Sequence, residues 1–131
     1  MCIRDRWTKL AINCAINPLT GLEQIKNGDL ADKKFSNVLR SIIKELTQVM
    51  QAESITCSFS ELETNVNKVI KATAKNNSSM KQDMFYQRKT EIDFINGYLI
   101  KAALKHQIDV PVNQRLFAQV KEQENRWNHQ D

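Results

Sequence analysis

WTKLAINCAINPLTGL, residues 7–22, is the stretch whose reading decides the fold. Lys9, Asn13 and Asn17 recur within it every four residues. At 3.6 residues per turn each such step advances about 40° around a helix axis, so the three side chains form one slowly drifting row. Leu10, Ala11, Ile12, Cys14, Ala15 and Ile16 fill the positions between them and leave the rest of the surface apolar. A helix apolar nearly all round is expected to be buried. An amine and two carboxamides buried with it would cost kilocalories each without partners, so something must meet the row. Periodicity alone leaves two readings open: a ligand or second domain facing the row across a crevice, or an internal hydrogen-bond network.

Outward from this stretch the chain reads as helix after helix. Pro18 lacks a backbone donor and biases its predecessor away from helical geometry, so the first helix is expected to run from about Arg6 to Asn17. Residues 1–6, MCIRDR, read as an irregular start whose nativeness the sequence leaves open. Residues 18–30 form a short helical or turn passage marked by Asn27-Gly28. A long amphipathic helix follows from Asp29 or Asp32 to near Glu53, burying Phe35, Leu39, Ile42, Ile43, Leu46, Val49 and Met50. Ser58 and Glu61 form a capping box for a helix that buries Leu62, Val66, Val69 and Ile70. Ser78 or Ser79 caps a short helix through Met80, Met84 and Phe85. Thr90 is expected to cap a helix with Ile92, Ile95, Leu99, Ala103 and Leu104 or Ile108 on its buried side, broken at Asp109-Val110-Pro111. Asn113 then caps a last helix with Leu116, Phe117, Val120 and Trp127. The sum is an all-α, six-helix domain with no sheet and no repeat.

Composition agrees with this and excludes several functions. With 131 residues, only three glycines and two prolines, the chain suits one helical globular domain. Its net charge of +4 comes from lysines and arginines interleaved with acids, without the basic patch that nucleic-acid binding needs. Cys2, Cys14 and Cys57 show no C-x-x-C spacing, so neither a disulfide framework nor a zinc site is expected. His106 and His129 have no companions at metal-ligand spacing and read as surface residues. No apolar run is long enough for a membrane span, residues 1–6 lack a signal-peptide core, and a reduced, cytoplasmic setting is expected.

The motifs, taken in order, are W-x-K-L-x-x-N-x-x-I-N-P-L-T from Trp7, N-G at Asn27-Gly28, and N-x-S-S-M-x-Q-D from Asn76. R-x-T-E-I-D-x-I-N-G follows from Arg88, then P-x-N from Pro111. This pattern resembles the C-terminal helical domain of 2-dehydropantoate 2-reductase, or ketopantoate reductase, over residues 7–131. The resemblance implies a multi-helix bundle of the 6-phosphogluconate-dehydrogenase-like type. It also implies NADPH-dependent reduction of 2-dehydropantoate to (R)-pantoate, on the way to pantothenate and coenzyme A. It casts Lys9 as proton donor, Asn13, Asn17, Asn27 and Ser79 as substrate-binding residues, and Glu91 as a cofactor contact.

The chemistry is coherent. Hydride reaching a ketone carbon leaves charge on its oxygen, which a placed ammonium both stabilises and protonates. Carboxamides one and two turns away orient a small polar acid without adding charge. Simpler roles stand beside these: Asn27 as a turn former, Ser79 as a helix cap, Glu91 as an acid favoured at a helix start. Asp83, Arg88 and Asp93 read as inter-helix pairs.

No G-x-G-x-x-G and no phosphate loop occur, so the family's Rossmann domain is missing and the chain is expected to be a fragment, inactive alone. Apolar surface left without that domain would favour self-association. Ser54 and Gln107 stand where the family commonly has glycines at helix ends, so those ends are expected to be formed differently. A related reductase of another 2-oxo acid and a non-catalytic helical interaction module are the alternatives.

Overall fold

Small side chains make α1 (Ile3–Glu23) the central helix. Ala11, Cys14 and Ala15 are wholly buried on its inner face, where their size lets neighbouring helices come close. The computed structural model describes residues 1–128. Beyond α1 these form α2 (Ser36–Ala52), α3 (Phe59–Ala72), α4 (Ser79–Phe85), α5 (Asn96–Lys105) and α6 (Pro111–Asn128). Three 3-10 turns lie at Asn27–Ala31, Lys33–Phe35 and Ile92–Phe94, and no strand occurs among the described residues. α2, α3, α4 and α6 all pack on α1. The shared core joins Ile42, Leu46 and Met50 of α2 to Leu62 and Val66 of α3, Leu99 of α5 and Val120 of α6.

α1 starts earlier and ends later than its local signals predict. The irregular start is not observed: Cys2 Sγ accepts from the Asp5 amide, Asp5 sits favourably in the first turn, and Arg4 pairs with Glu61 of α3 at 3.1 Å. Nor does Pro18 stop the helix. Its missing N–H leaves the Cys14 carbonyl free, and the Asn96 side chain donates to that carbonyl at 3.4 Å. The helix therefore runs on to Glu23 with Pro18 buried inside it.

Asn96 belongs to a polar line buried across the domain. Glu45 of α2 accepts from the Val112 amide at 3.0 Å, the Asn113 amide at 3.0 Å and Asn113 Nδ2 at 2.8 Å. Asn113 Oδ1 accepts in turn from Asn96 Nδ2 at 2.9 Å. Glu45 thus satisfies the open N–H groups at the start of α6, while the two carboxamides carry the connection to α1. Asn113 is not the cap; α6 opens at Pro111, where a missing N–H costs nothing.

Of the four expected caps Ser58 and Ser78 hold and Thr90 fails as Asn113 does, while the return bond of the Ser58–Glu61 capping box, from the Ser58 amide, is not formed among the described residues. Ser58 accepts from Glu61 N at 3.1 Å and Ser78 from Lys81 N at 3.0 Å. Thr90 opens no long helix: a 3-10 turn comes first, Ile95 breaks the backbone at ψ −86°, and α5 begins at Asn96. The long second helix likewise waits until Ser36, after two 3-10 turns.

Ser54 and Gln107 do adopt the left-handed cap, at φ 64° and 58°. The Ile55 and Ile108 amides then reach back to the carbonyls of Met50 and Ala103, both at 2.9 Å. None of the chain's glycines has positive φ. Close packing uses them instead: a Cβ on Gly28 would stand 2.7–2.9 Å from Ala74, and one on Gly21 2.8 Å from Met84 Sδ.

Candidate functional site

The row on α1 faces outward. Lys9 is exposed and Asn13 and Asn17 are half-buried, against the expectation of a buried row. Together they span a sector of roughly 80°, and Lys9 lies about 12 Å up the axis from Asn17. Arg6 and Leu10 share this sector, so the surface here is mixed and wettable. Among the described residues, the side-chain hydrogen bonds of α1 include those from Thr8 to the Arg4 carbonyl and from Thr20 to the Ile16 and Asn17 carbonyls. None involves the Lys9, Asn13 or Asn17 side chains.

The lower end of the row is closed by α4. Thr20 continues the sector one turn beyond Asn17, and its hydroxyl lies 2.7 Å from that of Ser78. Ser78 is the cap of α4, so Ser79 becomes its first helical residue and stands exposed beside the row's end. Asn27 is drawn to the same end because its amide donates to the Asn76 carbonyl at 3.1 Å, two residues before Ser78.

Asn27 is buried, and its NH2 is held by Thr73. The Thr73 hydroxyl gives its single proton to the Val69 carbonyl at 2.7 Å, so toward Asn27 Nδ2, at 3.0 Å, it can only accept. The Asn27 Oδ1 is left buried without a donor. Lys9, Asn13 and Asn17 thus share one face, with Asn27 and Ser79 at its foot.

Glu91 stands apart from them. It precedes the 3-10 turn Ile92–Phe94, exposed, on a segment held to α6. Phe94 and Tyr98, which follow it, form with Ile3, Arg6, Trp7 and Leu10 a groove of about 310 Å³ beside the upper part of the row. Trp7 and Tyr98 meet there as tilted rings 5.7 Å apart. Phe94 is 76% exposed and Ile3 59%, an apolar rim open to solvent.

Neighbouring titratable groups are structural. Burial pushes the Cys14 thiol far above its usual range, which removes it as a nucleophile. Hydrogen bonds from His106 and Lys105 hold the Glu53 carboxyl below the usual range and tie α5 to the end of α2, so His106 is half-buried and partnered, not a bare surface residue. Burial works against the Lys121 charge, but hydrogen bonds and charge from Asp93 and Glu124 outweigh it and hold its pKa above the lysine range. Asp93 makes the expected inter-helix pair with Lys121 at 3.3 Å, whereas Arg88 pairs locally with Asp83. No group of His, Cys, Asp or Glu among the described residues is placed to hold a metal ion, and none of their helices is long and apolar enough to cross a membrane. His129 lies outside the described residues.

Sequence reading missed Glu45 and Asn96 and gave Asn113 the role of a cap where it is a buried link between them. The signal was present in Glu45, an acid three residues from Ile42 and four from Val49 on the apolar stripe of α2, and in the N-G and P-x-N blocks.

The chain is similar to a 2-dehydropantoate 2-reductase of Vibrio cholerae, 48% identical over 122 residues, covering 93% of this chain and 41% of the relative. A 2-dehydropantoate 2-reductase of Escherichia coli O157:H7 is 44% identical over 123 residues, covering 94% and 40%. The chain thus spans about 40% of the length of the curated relatives it matches. The crystal structure of a PanE/ApbA family ketopantoate reductase from Ralstonia eutropha superposes with a TM-score of 0.86 at 28% identity, over 94% of this chain and 41% of that one. D-mandelate dehydrogenase, solved with NADH and anilino(oxo)acetate, shares the fold at a TM-score of 0.86 and 23% identity, over 93% of this chain and 41% of its own. The family described as ketopantoate reductase PanE/ApbA C terminal matches residues 2–124, starting where α1 starts, and the chain belongs to that family.

Proposed function

We propose that the chain is the substrate-side domain of an NADPH-dependent 2-dehydropantoate 2-reductase, with Lys9 as proton donor. The observation that carries this reading is the outward row on α1: one ammonium and two carboxamides with no partner among the described residues, in register along a rigid helix. Side chains already bonded inside the bundle could not serve a ligand; these three are available.

Lys9 offers only donors, so it suits an oxygen gaining negative charge. Asn13 and Asn17 offer both donors and acceptors about 6 Å and 12 Å along the axis, a span that fits a small acid with several oxygens. Ser79 adds a hydroxyl at the foot of the row, and the Asn27 carbonyl oxygen, buried there without a donor, would join it only where a ligand opens that corner. NADPH, when bound, supplies the hydride. Among the described residues only Glu91 is proposed to touch it: its carboxylate is exposed and unpartnered, which fits a hydroxyl of the cofactor, and no glycine-rich phosphate cradle is present. The remainder of the cofactor site would come from a nucleotide-binding domain, the second wall of the cleft.

The test is turnover in the intact two-domain protein, assayed by NADPH oxidation with 2-dehydropantoate and with other 2-oxo acids. Lys9→Ala should lower kcat by about 100-fold or more, the scale of a lost general acid, while the melting temperature stays put. An unchanged rate removes Lys9 from the chemistry. The 131-residue chain alone should neither bind NADPH tightly nor oxidise it; measurable oxidation would overturn the one-wall reading.

A further inference from the structure

Glu91 is exposed, yet the residues on both sides of it are held by side-chain hydrogen bonds and an ion pair. The Thr90 amide and the Thr90 hydroxyl both donate to one oxygen of Glu124, each at 2.7 Å. The same hydroxyl accepts from the Ile92 amide at 3.2 Å. Lys121 stands 3.5 Å from the other Glu124 oxygen and 3.3 Å from Asp93. The residue before Glu91 and the residue two after it are therefore both pinned to α6. The Glu91 carbonyl accepts from the Phe94 and Ile95 amides at 2.9 and 3.2 Å, which closes the turn behind it. Its carboxylate makes no hydrogen bond or ion pair with any described residue.

Glu124 itself is only 5% exposed. A charge is costly to bury, and a threonine–carboxylate contact stabilises a bundle less than an apolar pair of the same volume would. Two donors converging on a single carboxylate oxygen do something an apolar pair cannot: they fix the direction of the backbone at Thr90, and with it the place from which Glu91 projects.

We propose that Glu124, backed by Lys121, is a positioning residue for Glu91, setting where that carboxylate meets a hydroxyl-bearing cofactor. The proposal rests on the reading of Glu91 as a cofactor contact, and the experiment separates the two. In the intact protein, Glu124→Ala should raise the KM for NADPH about tenfold while the KM for the oxo acid and kcat stay within about twofold. Thr90→Val, which keeps the amide bond and loses the hydroxyl, should move the same constant by about threefold. Glu124→Gln retains an acceptor oxygen and should restore most of the affinity. Glu91→Ala combined with Glu124→Ala should be no worse than Glu91→Ala alone, because the second change acts only through the first.

Additive effects, or an equal rise in both KM values, overturn the positioning role. A Glu91→Ala variant with unchanged NADPH affinity instead overturns the reading of Glu91. In that event the anchoring is decided in the 131-residue chain by amide hydrogen exchange: Glu124→Ala should speed exchange about tenfold over residues 91–95 and leave α3 unchanged, and uniform protection would end the proposal.

Discussion

Two sets of polar side chains ride on the helices of this domain, and they have opposite fates. Lys9, Asn13 and Asn17 lie on the outside of α1 with no partner among the described residues. Glu45, Asn113 and Asn96 lie inside, bonded in a line that joins α2, α6, α5 and α1. The inner line answers the needs of the fold: an open helix start and a carbonyl freed by Pro18 both require partners away from water. The outer row answers no such need, which is why a ligand can claim it. Sequence alone made the outer row look buried and, beyond Asn113 as a helix cap, gave the inner line no notice.

The sharpest test of this contrast is stability measured by urea denaturation. Glu45→Ala removes three hydrogen bonds to a buried carboxylate and should cost about 3 kcal/mol or more. Lys9→Ala, Asn13→Ala and Asn17→Ala should each stay within about 0.5 kcal/mol, and a comparable loss at any of them would break the comparison. A finer measure comes from the end of the inner line. Asn96→Ala leaves the Cys14 carbonyl without a partner only while Pro18 is present, because Pro18→Ala restores an N–H four residues on. A double-mutant cycle should therefore show about 1 kcal/mol of coupling between positions 18 and 96; strict additivity would deny the link.

Smaller effects probe helix ends that belong to neither set. Ser54→Gly and Gln107→Gly should each raise stability by about 0.5–1 kcal/mol, since both residues hold left-handed backbone that glycine adopts without a Cβ clash. No gain would mean the side chains contribute contacts that offset the strain. The Glu53 cluster should give the least, and acid should remove its contribution. The folded state holds Glu53's carboxyl below the usual range through His106 and then Lys105, so its contribution is complete above the unfolded value of about 4.3 and fades as pH falls through the lower folded one. Between pH 5 and 3 the wild type should lose more stability than Glu53→Gln; parallel losses would show that the cluster is idle.

Much of the fold was legible because its signals are local. The spacing of Leu39, Ile42, Leu46 and Val49 marks α2, and Ser58 and Ser78 cap their helices with short-range bonds any reader of the chain can anticipate. Pro18 and Thr90 misled for one common reason. The penalty at Pro18 is removed by Asn96, 82 residues from the Cys14 carbonyl it satisfies, and the cap at Thr90 is diverted to Glu124, 34 residues away. Of the candidate site, the types and spacing of Lys9, Asn13 and Asn17 could be read, but their exposure could not. Ile16 and Thr20 occupy nearly the same sector of α1 and are buried, Thr20 against the cap of α4, so one face is open near its start and covered near its end.

Residue type and period thus determined by themselves that the chain is helical, where most helices lie, and that one ammonium and two carboxamides share a face, because all of these depend on backbone geometry over a few residues. Tertiary structure alone decided which polar groups are buried, how Pro18 is tolerated, and that Asn27 and Ser79 gather at the foot of the row while Glu91 is held elsewhere by α6. Those outcomes depend on hydrogen bonds and packing between segments far apart in the chain, and no local pattern encodes which distant partner will arrive.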